Sequence, residues 1–138
     1  MGLIINADWS EGMAFKANVN GFSLDLDADE KVGGTNKGPR PKPLLLVALA
    51  GCTGMDVISI LTKMRVAPDY FNVEVEADQT DEHPKYYDKI NIKYIFRGKD
   101  LPMAKLEKAV NLSQDRYCGV SLMLGKSSEI THEIVIED

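Results

Sequence analysis

The amino-acid sequence predicts a single α+β domain over residues 1–138, with its elements in the order βββ-α-ββ-αα-β. Three observations carry this. Short segments near both ends alternate apolar and polar residues, the period of a half-buried strand. One long apolar run, Leu44–Leu61, separates them and holds a single formal charge, Asp56. Between Leu101 and Gly125, apolar residues recur at helical spacing. There is no internal repeat and no linker of domain-breaking composition, so the parts read as one domain.

The elements follow in order. Leu3–Trp9, Met13–Asn18 and Phe22–Asp27 alternate, and "SEG" and "NG" join them into a three-stranded meander. "DEKVGGTNKGPRPKP" is rich in glycine and proline and reads as a flexible connector; it lacks the GK[ST] ending of a phosphate-binding loop. A helix is expected from Pro43, where a missing N–H is harmless, to Arg65. Phe71–Ala77 and Tyr87–Phe96 alternate again, with His83-Pro84 in the turn before the second of them. Leu101–Leu112 is expected to be helical, and a second short helix is expected from Ser113–Asp115 to Gly125. Glu129–Glu137 reads as the last strand.

Composition narrows the function. The chain carries 16 basic and 21 acidic residues, a net charge of −5 without a long like-charge run, which argues against a nucleic-acid partner. The first residues lack the basic start of a secretory signal, so a cytoplasmic location is expected. Cys52 and Cys118 are too few for a disulfide scaffold, and neither they nor His83 and His132 form a close-spaced ligand pair. No metal is expected.

The apolar run is about long enough to cross a bilayer, for which roughly 18 residues suffice. A membrane span would place Asp56, Gly51 and Gly54 in lipid and leave six strands without a role. A helix apolar all round must instead be covered all round. At roughly 35 Å for about 23 residues it is as long as a small domain, and one sheet covers one face only. A central helix in an intertwined homodimer satisfies the pattern, with Ala48, Ala50, Gly51 and Gly54 allowing close approach of another helix.

Cys52 shares its helix face with Leu45, Ala48, Leu49, Met55, Asp56 and Ser59. A lone cysteine there reads first as a small core hydrophobe. Cys118 follows "SQDRY" in the first turn of a helix, where the dipole and Arg116 favour a thiolate. From the residues alone, a functional pair and two unrelated core thiols both stay open.

Three blocks go further: "GPRPKPLLLVALAGCTGMDVISIL", "HPKYYDKINIKYIFRGKDL" and "LSQDRYCGVSLML". In this order they resemble the signatures of the OsmC-like family, which includes osmotically inducible protein C and the organic hydroperoxide reductases. The resemblance implies an intertwined α+β dimer with long central helices buried between sheets. It also implies a thiol peroxidase active in oxidative-stress defence. Cys52 matches the thiol that attacks the peroxide and Cys118 the thiol that resolves the sulfenic acid. The implied reductant is an external dithiol, of lipoyl type in the reductase branch, and no bound cofactor is implied. Leu45, Leu49 and Met55 would line an apolar pocket for organic hydroperoxides.

One part of the family pattern is missing. The resemblance implies a Glu nine or ten residues before Cys52, where this chain has Pro43 and Lys42. It also implies an Arg from the N-terminal strands, where between Trp9 and Ala28 the basic residue is Lys16. Arg40, Lys42 and Lys16 are the candidates for activating the thiolate or positioning substrate, and Asp56 is the candidate carboxylate. The alternatives are a non-catalytic member binding an apolar or thiol-reactive molecule at the dimer interface, and a redox sensor.

Overall fold

The computed structural model describes residues 2–138. Two compact units divide it, residues 1–46 and 47–138. The N-terminal unit is an antiparallel meander of β1 (Asn6–Glu11), β2 (Ala14–Val19) and β3 (Phe22–Leu26). The register sets Trp9 opposite Phe15 and Phe15 opposite Leu26, with Ala7, Ala17 and Leu24 in the next row of the same face. Alternation then gives the sheet one apolar face and one polar face, the latter carrying Asp8, Lys16 and Asp25. The expected first strand begins three residues late, because Leu3–Ile5 have no partner in the ladder and lie exposed.

The segment expected to be a flexible connector is instead organised around one side chain. Asp27, only 3% exposed, accepts hydrogen bonds from the backbone N–H of Ala28, Thr35 and Lys37 and from the Thr35 hydroxyl. A short 3₁₀ turn, Glu30–Val32, lies inside this loop. A Cβ on Gly34 would run into the Ala28 backbone, and one on Gly38 into Asp25 O, so both positions require glycine.

The C-terminal unit contains a second sheet of β4 (Tyr70–Gln79), β5 (Tyr87–Arg97) and β6 (Glu129–Glu137), in the order β4-β5-β6. β4 and β5 are antiparallel, and β5 and β6 are parallel. Parallel neighbours need a crossover, and here it is α2 (Met103–Leu112), a π-turn (Ser113–Tyr117) and α3 (Gly119–Leu124). One sheet face carries Phe71, Val73 and Val75 of β4, Ile90, Ile92, Tyr94 and Phe96 of β5, and Ile130 and Ile134 of β6.

The long helix α1 (Pro43–Lys63) starts at the expected proline. It ends two residues before Arg65, which adopts φ 60°, while the Val66 N–H bonds Leu61 O across the end of the helix. Leu49, Thr53, Val57 and Leu61 recur every fourth residue and form its buried face. Gly54 lies over β4, where an added Cβ would stand 3.3 Å from Val73 Cγ2. The sheet of its own chain is thus what approaches Gly54. Gly51 instead meets open space, and Val47, Met55 and Ile58 beside it are exposed. By length and composition α1 would pass as a membrane span, but its Leu49–Leu61 stripe is core.

Candidate functional site

Cys52 and Asp56 stand one helical turn apart on α1, at the border between its buried and exposed faces. The continuous short helix expected over 113–125 is broken. Its first part is the π-turn, where the Cys118 N–H bonds Ser113 O at 2.8 Å, and Cys118 itself is extended (φ −78°, ψ 100°). Cys118 therefore caps α3, its sulfur accepting from the Ser121 N–H at 3.4 Å. The widened turn carries Cys118 back over α1. The sulfurs of Cys52 and Cys118 and a carboxylate oxygen of Asp56 lie within 4.8 Å of one another, and both thiols are free.

Burial pushes the Cys52 thiol above its ordinary range, and the hydrogen bond from Cys52 to Cys118 adds to the effect. The Val120 N–H pulls the other way, while Cys118 and Asp56 oppose the thiolate by their charge. Asp56 is thus no activator of Cys52 as a static neighbour.

A chain of hydroxyls ends on Asp56. Ser113 Oγ donates to Asp56 Oδ2 at 3.0 Å and also lies 2.8 Å from Thr53 Oγ1. Thr53 Oγ1 is 2.6 Å from the Tyr94 hydroxyl. Each hydroxyl has one proton. Ser113 spends its proton on Asp56, so Thr53 must donate to Ser113 and Tyr94 to Thr53. The Gln114 amide donates to both Tyr94 and Thr53, at 2.8 and 3.2 Å, which fits that direction. Burial raises the Tyr94 phenol, keeping it a donor.

Leu49 is a fully buried core residue, whereas Leu45 and Met55 are exposed. Within the N-terminal unit, Arg40 donates to Gly38 O at 2.8 Å, to Asn36 Oδ1 at 2.6 Å and to Asp27 O at 3.5 Å. Lys16 pairs with Asp25 at 3.3 Å. A cleft of about 560 Å³ opens beside Cys118, with Arg116, Tyr117, Ser121 and His132 in its wall. His132, isolated in the sequence, packs edge-on against Tyr94, with ring centroids 6.2 Å apart. Sequence reasoning missed Thr53, Tyr94 and Ser113 as site residues. Each read alone as an ordinary side chain, and no spacing linked the three.

The family model described as OsmC-like protein matches residues 34–133, a span that includes Cys52, Thr53, Asp56, Tyr94, Ser113 and Cys118. The chain belongs to the OsmC-like family. Protein YhfA of Escherichia coli strain K12 is 35% identical over 125 residues, covering 90% of each chain. A solved structure of a hypothetical protein from Aquifex aeolicus is 30% identical, covers all of both chains and superposes with a TM-score of 0.83. The organic hydroperoxide resistance protein OsmC of Legionella pneumophila shares the fold at 14% identity and a TM-score of 0.68, over 96% of this chain and 95% of that one. The OsmC-like fold thus holds two neighbouring cysteines in this chain, and hydroperoxide-resistance proteins are among its structural neighbours.

Proposed function

We propose that the chain is a thiol-dependent peroxidase that reduces organic hydroperoxides. The observation that carries this reading is the approach of the Cys52 and Cys118 sulfurs to within 4.8 Å from two separate elements. The Cys52 thiolate attacks the O–O bond; with one proton taken up, the products are an alcohol and a Cys52 sulfenic acid. The Cys118 sulfur then attacks the sulfenic sulfur, a disulfide forms and water leaves. An external dithiol restores both thiols as it becomes a disulfide itself.

The working form is a homodimer in the cytoplasm. Support for the dimer comes from the uncovered apolar faces of α1 and of the N-terminal sheet. The Val120 N–H favours the Cys52 thiolate, and this reading assigns the activating cation to Arg40, Lys42 or Lys16. The raised thiol also favours a second reading, a redox switch that oxidises once and turns over slowly.

The test is peroxide consumption with a dithiol reductant in wild type, Cys52→Ser and Cys118→Ser. Multiple turnovers that vanish with Cys52→Ser, and a trappable sulfenic acid in Cys118→Ser, are expected. Because the Cys52 thiol is raised, the rate should climb about tenfold per pH unit to above pH ~8.5, the free-thiol value. Arg40→Met should move that titration upward by a unit or more, about 1.4 kcal/mol, where Arg40 is the activating cation. One oxidation without turnover would leave the switch, and two unreactive thiols would refute both.

A further inference from the structure

The geometry points to a divalent-metal site formed by Cys52, Asp56 and Cys118, with the donor set of a borderline-soft ion such as Zn²⁺. This inference does not rest on the peroxidase reading. The cysteines and histidines showed no close-spaced pair in the sequence, because here the set is completed by Asp56, one turn along α1 from Cys52, and by Cys118, which caps α3. Their ligand atoms lie within 4.8 Å of one another. A tetrahedral ion with Zn–S of about 2.3 Å and Zn–O of about 2.0–2.2 Å needs edges of roughly 3.6–3.8 Å. Closing the cluster therefore takes about an ångström of movement at most. Two thiolates and a carboxylate leave the fourth position open, as in zinc sites that keep an exchangeable ligand.

The second observation is independent of those distances. Ligating carboxylates are held in place by outer hydrogen bonds, and Asp56 is held by Ser113 at the end of the Tyr94–Thr53–Ser113 relay. The relay holds a carboxylate beside two free thiols, so the three donors are already gathered where one cation could replace the two thiol protons. Binding is a proton exchange without electron transfer: two S–H bonds give their protons to solvent and two metal–sulfur bonds form. The ion would occupy both sulfurs, so metal loading and thiol oxidation exclude each other.

The experiment uses the full-length, reduced chain, stripped with a chelator and titrated anaerobically with Co²⁺ as the spectroscopic probe. Expected is a thiolate-to-cobalt charge-transfer band that saturates at one ion per chain, is displaced by Zn²⁺, and is accompanied by proton release. Cys52→Ser and Cys118→Ser should each remove most of the band. Ser113→Ala, which touches no metal, should weaken affinity about tenfold, and Asp56→Asn by more, with unchanged circular dichroism in both. Absence of the band in wild type would overturn the site. So would undiminished affinity in Asp56→Asn, which would mean two thiols holding the ion adventitiously. Loss of peroxide turnover has no bearing on these readouts.

Discussion

The two sheets of this chain obey the same alternation and reach opposite outcomes. In the C-terminal sheet the apolar face is sealed: Ile90, Ile92, Tyr94 and Phe96 of its central strand are fully or almost fully buried. In the N-terminal sheet the equivalent face is bare, with Trp9 65% and Phe22 75% exposed. Burial of a large apolar side chain is worth about 1.5–3 kcal/mol, so a row of such residues is not left in water by a stable protein. Within its own unit the N-terminal sheet leaves this face open, and the proposed homodimer is the reading that would cover it. The outer face of α1, with Met55 73% exposed, carries the same message.

The largest expected effect tests that contrast directly. If the proposed homodimer covers the ring, Trp9→Ala should cost about 3–5 kcal/mol and shift sedimentation toward the monomer. An effect within about 0.5 kcal/mol, the value for ordinary surface positions, would show that the face stays wet. Leu49→Ala is the control from the sealed unit. It should cost about 2–5 kcal/mol through a cavity in the core while the folded protein keeps its assembly state.

A smaller effect sharpens the contrast from the C-terminal side, where polar groups as well as apolar ones are enclosed. Thr53→Val keeps the shape but removes the middle of the relay. It leaves Tyr94 without its acceptor and Ser113 without its donor, at about 1–3 kcal/mol. The denaturation midpoint should fall with an unchanged slope. An unaltered midpoint would show that water replaces the hydroxyl and that the relay is open to solvent.

How much of this was legible in the sequence follows from the range of the interactions. Strand alternation and the Leu44–Leu61 run are local patterns, and the six strands and the long helix appear where those patterns lie. The cysteine pair became legible through the resemblance of the blocks around Cys52 and Cys118, not through spacing. The relay was hidden because Thr53 lies 41 positions from Tyr94 and 60 from Ser113, and each reads alone as an ordinary polar residue. The break at 113–117 was hidden too, since the five-residue π-turn is not marked by glycine or proline. Arg65 closes α1 in a left-handed conformation usually marked by glycine, so the end of the helix was read late.

Asp27 supplies the smallest effect near neutral pH, and it concerns how the bare unit holds together at all. With few sealed apolar contacts, the loop after β3 is held by one carboxylate. The Lys37 N–H and then the Ala28 N–H lower its pKa to about 2 against the opposing effect of burial, with Thr35 adding to the lowering. A carboxylate whose folded value is depressed contributes stability above its unfolded pKa and loses it as pH falls through the folded one. Its contribution should therefore be constant from neutral pH down to about pH 4 and decline between there and about pH 2. Asp27→Asn should remove that acid slope, because an amide cannot ionise and its NH₂ faces N–H donors. Backbone amides at Thr35 and Lys37 report the change by hydrogen exchange, while those of the central strand β5 serve as the reference. An identical acid slope in wild type and Asp27→Asn would place the acid sensitivity in another carboxylate and leave the loop dependent on its glycines alone.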